Sequence, residues 1–355
     1  MNQDIYIVAV GARTPLGLTA ESSIAAVRAG ISQVSEHPFI IDKQAKPLKM
    51  AQDSQLDPAL MGTERMIKML TTALEEIGQK LAPIQSAFRS IPLLLALPEP
   101  RPGWTMEQAQ RVRESLGRMS FPIAFQPIVL FPNGHAGGIM ALEAASVSIR
   151  SGESALCVIA GVESYLDLKT LEWLDENRQL ATSYNRGAFI PGEGAGAFAI
   201  ASDAFVRRYR LDSLAVIRGI GTAMEAKRIK TDTVCLGEGL TESIRKAVTS
   251  LRLPQEAVDG IICDINGERY RSEEWGFALL RLPDALIDPT GYDLPASCWG
   301  EMGAASGPLF ITIAVTAAQR GWAKGTRYLI WNSSEGGQRA ATVLEFNCQS
   351  EGVGR

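Results

Sequence analysis

The chain has 355 residues, 46% hydrophobic and 21% charged, with a formal net charge of −4. That length can hold one large or two ordinary globular domains, and the absence of a basic block speaks against a nucleic-acid surface. No uninterrupted apolar run reaches the roughly 18 residues of a membrane span, and Met1-Asn2-Gln3-Asp4 carries no basic segment of an export signal, so no membrane span is expected.

Ile5 to Ala12 predicts a buried strand, broken by Thr14-Pro15-Leu16-Gly17. Thr19, with Ser22 three residues on, marks a helix start, and the helix runs on to Gly30. Residues 32–60 show no clear period and predict irregular chain. Met66, Met69, Leu70, Ala73, Leu74 and Ile77 recur at helical spacing, so 64–81 is an amphipathic helix. A strand at 91–97, a Pro-rich loop at 98–103 and a helix at 105–117 follow. The apolar segment 121–131 then leads into Pro132-Asn133-Gly134-His135, a small-residue helix ending near Gly152, and a strand from Ala155 to Gly161. This strand–turn–helix–strand unit places His135 at a helix N-terminus, where backbone N–H groups favour developing negative charge.

A polar stretch leads on to Arg186, which is read as a loop residue. Gly192, Gly194 and Gly196 alternate before an apolar strand through Ala201. Because a strand and not a helix follows, they signal close backbone approach rather than a dinucleotide fingerprint, and Glu193 reads as an acid satisfying that turn. The grammar then repeats: a strand at 214–221, a helix at 240–250, a strand at 258–264, a buried helix opened by Cys298 to Gly307, and strands at 328–334 and 341–346. A duplicated α/β unit is expected, with halves 1–205 and 206–355 and their buried helices facing one site.

Cysteines 157, 235, 263, 298 and 348 form no C-x-x-C pair. They predict free thiols in a reducing, cytoplasmic compartment, without a metal site or organic cofactor. The only two histidines are His37, read as a surface residue beside Pro38, and His135. That count speaks against any scheme needing two catalytic histidines besides a nucleophile.

Four motifs in order give the chain a family resemblance: Val8-Ala9-Val10-Gly11 through Thr14-Pro15-Leu16-Gly17, Pro191 to Ala197, Gly303-Ala304-Ala305, and Asn332-Ser333 through Gly336-Gly337. Together they resemble the β-ketoacyl-(acyl carrier protein) synthases of fatty acid and polyketide synthesis, in the thiolase superfamily. The resemblance implies a thiolase-like duplicated α/β fold in five layers, α-β-α-β-α. It also implies a dimer, homodimeric or with an active condensing enzyme, paired through 121–131. The partners it implies are an acyl thioester or acyl carrier protein.

The family's Cys-His-His set is missing. Its cysteine position falls on His135. Its first histidine falls on Asp264, or on Asn266 if the loop shifts, and its second on Gly300 or Glu301. The gating phenylalanine of the Asn-Ser hairpin is also missing, with Glu335 nearby. Condensation needs a thiolate to carry the acyl chain and histidines to stabilise the enolate, and an acyl-imidazole is too labile to store a chain. The expected function is thus a non-condensing subunit that binds an acyl chain or carrier protein. The alternative is an acyltransferase or thioesterase with His135 as general base beside Asp264 and Glu301, and Cys298 as a weaker nucleophile candidate. Gly134, Asn266, Gly300, Asn332, Ser333 and Glu335 complete the expected substrate-contacting set.

Overall fold

The computed structural model describes residues 4–228, 231 and 233–346, so Cys348 lies outside the described residues. In chain order the elements are β1 (Ile5–Arg13), α1 (Ala20–Arg28), β2 (Val34–Ile41), β3 (Pro47–Ala51), α2 (Gly62–Leu81), β4 (Ile91–Ala96), α3 (Met106–Arg118) and β5 (Phe125–Phe131). Next come α4 (Gly137–Arg150), β6 (Leu156–Ser164), α5 (Leu168–Glu176), β7 (Glu193–Ser202), α6 (Asp203–Tyr209), β8 (Ala215–Met224) and α7 (Glu238–Val248). The chain continues through β9 (Gly260–Cys263), α8 (Arg269–Leu279), β10 (Tyr292–Asp293), α9 (Ala296–Trp299), α10 (Ser306–Gln319), β11 (Arg327–Ser333) and β12 (Gln338–Glu345).

The strand order is β10-β9-β11-β12-β8-β1-β7-β6-β4-β5. Each five-strand set has the same plan. β5, β4 and β6 pair in parallel, then β7 and β1 antiparallel. β10, β9 and β11 pair in parallel, then β12 and β8 antiparallel. The sets are continuous only through Tyr6↔Val216 and Ile7↔Ala215.

Five layers follow from the side-chain alternation along these strands. Leu93 and Leu95 face α2 and α3 in one apolar cluster, whereas Leu94 faces inward with Ile139, Leu142, Leu309 and Ile330. The inner cluster contains α4 and α10 between the two sets of strands, and α7 and α8 cover the far face. α4 and α10 are apolar nearly all round, which suits a layer covered on both sides. A Cβ built on Gly138 would lie 2.5 Å from Pro308 Cδ, so only a glycine lets the two helices approach where they begin.

Several expectations change. Residues 32–60 are not irregular: β2 and β3 form a hairpin whose turn is held by Asp42, which accepts from Gln44 and Lys46 N–H. The polar stretch after Gly161 contains α5, capped by Asp167. α8, likewise, fills a stretch where no element was expected. The Thr19–Ser22 start is a full capping box, as its spacing predicts. No helix of the described residues is long and apolar enough to cross a membrane.

Candidate functional site

His135 sits where β5 stops and the first central helix begins. Gly134 takes a left-handed φ of +57°, and its N–H donates to Leu97 O, so the turn presents the next residue at the helix mouth. His135 is buried and lines a cavity of ≈ 280 Å³ with Glu99, Arg101, Gly134, Glu163 and Glu335.

The imidazole Nε2 lies 3.0 Å from Glu301 Oε1 and 3.3 Å from Arg271 Nη2. Arg271, buried in the first turn of α8, gathers acids from both ends of the preceding loop. Its Nη1 is 2.8 Å from Asp264 Oδ2 and donates to Ser333 O, and its Nε is 3.2 Å from Glu268 Oε2. Asn266 Nδ2 donates to Glu301 Oε2, and Glu301 Oε1 also accepts the Gly303 N–H at 2.9 Å. The result is one buried network of three acids, an arginine and an imidazole, joining the start of the first central helix to the segments before α8 and before α10.

Burial penalises the imidazolium and Arg271 repels it, but Glu301, with help from Asp264, more than offsets them, so the His135 pKa lies above its ordinary value. Burial likewise opposes the Glu301 carboxylate, yet His135, Arg271 and Asn266 hold it down at about 2. Both partners shift toward the charged pair. An Nε2 that donates to Glu301 has no lone pair for Arg271, so the 3.3 Å approach is not a second hydrogen bond. Burial pushes Glu99, which lines the cavity, above the usual carboxylate range.

The structure brings some expected residues together and separates others. His135, Glu301 and Asn266 meet directly. Asp264 joins only through Arg271 and the Ser333 N–H, with Oδ1 buried and lacking a hydrogen-bond partner. Gly300, at φ +75°, packs its backbone against Ile190 and Pro191 carbonyls rather than offering a contact. Cys298 points elsewhere: its sulfur lies 4.0 Å from Val27 O, against α1. Ser333 braces the hairpin through Asp264 and Glu274, and Asn332 is buried with its Oδ1 beside Gly307 of α10. Glu335 lines the cavity and accepts from Gln179 Nε2 at 2.5 Å.

Sequence reasoning missed Arg271, Arg101, Glu163 and Ser334. Glu163 pairs with Arg101 at 2.7 Å and accepts the Ala304 N–H at 3.2 Å. Arg101 stacks 4.4 Å from the centre of the Tyr165 ring. Glu193 is more than a backbone acceptor: it is held by Arg65 at 2.6 Å and by Ser164 Oγ, fully buried.

Among the described residues the one cluster with metal-ligand proximity is Glu225, Cys235 and Glu274. Its carboxylates already accept from Gly239, Lys227, Ser333 and Arg339, and burial raises the Cys235 thiol to about 11.

No protein-family model and no curated protein sequence matches the chain. Solved structures do. The ishigamide ketosynthase/chain length factor aligns with a TM-score of 0.81 at 15% identity, over 98% of this chain and 100% of that one. A type II PKS acyl-carrier protein in complex with its ketosynthase bound to the hexaketide aligns at 0.80 and 14%, over 98% and 100%. A ketosynthase in complex with its chain length factor from Xenorhabdus doucetiae aligns at 0.73 and 13%, over 97% and 98%. The chain therefore has the ketosynthase fold over nearly its whole length.

Proposed function

We propose that this chain is a non-condensing β-ketoacyl synthase homologue, acting in acyl-thioester metabolism of the polyketide or fatty acid type. It would bind an acyl chain or an acyl carrier protein, or pair with an active condensing enzyme as chain length factors do in the solved complexes. One observation carries the reading. At the helix mouth where a nucleophile would stand, His135 is already committed to Glu301, 3.0 Å away. A thioester cannot be stored there, and the fold supplies no other thiol at that turn. The reading takes residues 1–205 and 206–355 as the two halves of a duplication and the cytoplasm as the compartment.

The general-base alternative loses ground for a physical reason. Glu301 holds the His135 pKa above its ordinary value, which lowers the unprotonated fraction a base needs. The test is intact-protein mass spectrometry after incubation with acyl and malonyl thioesters, beside a thiol-release assay. No adduct and no release across short and long chains is the expected result. Release that disappears in His135→Ala would establish an acyl-transfer enzyme instead, and an adduct on Cys298 would move the nucleophile to the second half.

A further inference from the structure

Glu99, from the Pro-rich loop after β4, reaches the helix mouth through a slot between two glycines. A Cβ on Gly134 would lie 3.2 Å from its Oε2, and one on Gly336 would collide with its Oε1. Both carboxylate oxygens accept the Gly336 N–H, at 3.1 and 3.2 Å. The two walls of the slot are tied to each other. The Ala136 N–H donates to Ser334 Oγ at 2.8 Å, and Ser334 Oγ donates to Asn133 O at 2.5 Å. The carboxylate is thus fixed at the cavity wall before any ligand arrives, which spares a ligand the cost of ordering it.

The Glu99 charge has no cation of its own. The cations that line the cavity are taken, His135 by Glu301 at 3.0 Å and Arg101 by Glu163 at 2.7 Å. Among the described residues Glu99 joins no ion pair. Burial pushes its carboxyl up, and the Glu335 charge adds to the push, against the Gly336 N–H and His135. A positive charge brought into the cavity would relieve it.

A second group also lacks a partner. The Arg101 side chain is 9% exposed and lines the same cavity, and among the described residues its Nε has no hydrogen-bond acceptor. A buried N–H in that state favours a ligand that brings an acceptor, such as a carbonyl oxygen. Trp173 supplies an aromatic wall, a surface that suits an ammonium group. The volume of ≈ 280 Å³ lies just below the roughly 300–1,000 Å³ of ordinary ligand pockets, so a short group fits and a long chain does not.

We propose that the cavity selects a short acyl group carrying a primary ammonium, such as a β-alanyl unit, with Glu99 holding the ammonium and Arg101 Nε the carbonyl oxygen. The proposal rests on the acyl-binding reading and narrows it to one substrate class. A malonyl unit is disfavoured, because its carboxylate would face Glu99.

The probes are the N-(2-acetamidoethyl) amides of β-alanine, butyric acid and malonic acid, which share one scaffold and cannot transfer their acyl groups. Calorimetry gives the Kd of each. In the natural chain the β-alanyl amide is expected to bind at least about tenfold more tightly than the near-isosteric butyryl amide, as a charge-assisted contact allows, and the malonyl amide more weakly than either. Glu99→Gln keeps the shape and an acceptor for Gly336, and should bring the β-alanyl and butyryl amides close to equal affinity. A butyryl amide that binds the natural chain as tightly as the β-alanyl amide, a malonyl amide that does so, or a preference that survives Glu99→Gln overturns the ammonium site and leaves the acyl-binding reading standing. Propylamine binding as tightly as the β-alanyl amide overturns the assignment of the ammonium to an acyl group. No binding by any of the three amides overturns the ammonium site and the acyl-binding reading together.

Discussion

The two histidines of this chain stand in opposite surroundings, and their titrations report the difference. Burial pushes His37 below its ordinary value, while the Glu301 carboxylate holds His135 above it. Two imidazole proton resonances should therefore titrate on either side of about 6.5, and Glu301→Gln should move only the upper one, downward. An upper midpoint that ignores the substitution would remove Glu301 as the cause. The stability consequence has two signs. The His135 contribution is fully present below about 6.5 and is lost as pH rises through its raised folded pKa. The Glu301 contribution is present above about 4.3 and is lost as pH falls through about 2. The pair thus supports the fold most between about 4.3 and 6.5, and the urea midpoint of Glu301→Gln should fall furthest below the parent's in that window.

Arg271 makes two further acids of the same network depend on one guanidinium. Arg271→Met leaves Asp264 and Glu268 buried without their guanidinium, and breaking one side of a buried pair costs about 3–5 kcal/mol. Equilibrium urea unfolding measures the loss. Adding Asp264→Asn should recover part of it, because a neutral amide no longer needs the charge.

At the scale of elements, legibility followed whether the partners of a buried face are local. α2 and the Thr19 capping box were readable because apolar stripe and cap lie within a few residues of one another. α8 was not. Its buried positions Arg271, Glu274, Trp275 and Ala278 have helical spacing, but the first two are charged. They are buried because Asp264 and Glu268, just before the helix, neutralise Arg271, and Arg339, from β12, neutralises Glu274. A search for apolar period cannot register such a face. The site divides in the same way: the helix mouth at His135 was visible from turn and glycine spacing, whereas Arg271 and Ser334 depend on tertiary partners. The alternating glycines were read correctly as close approach. A Cβ on Gly196 would lie 2.9 Å from the Leu309 backbone nitrogen, so β7 and α10 touch there through bare backbone. Gly196→Ala should lower stability by about 1–3 kcal/mol, as overpacking does, and a melting temperature equal to the parent's would show that the helix can retreat.

At the scale of the whole molecule, one edge of the ten-stranded sheet is β5, where Val129 is 45% exposed beside Gln126 and Pro127. An open edge with an exposed apolar residue invites pairing with a second chain. Light scattering after size exclusion should report a dimer, and Val129→Lys should shift it toward monomer. A parent chain that is already monomeric would send the search to a different partner subunit.

The shared middle layer also bears on the birth of the protein. α10 packs against β7, β6 and β1, yet it begins about 100, 140 and 290 residues downstream of them. At synthesis rates of about 5–20 residues per second, the inner face of the first sheet leaves the ribosome on the order of ten seconds before its cover. During that wait Ile7, Val10, Phe198 and Ile200 have no second helix to lie against. The nascent chain is at its stickiest then, and a message truncated before residue 306 should yield aggregates, while the full-length product folds.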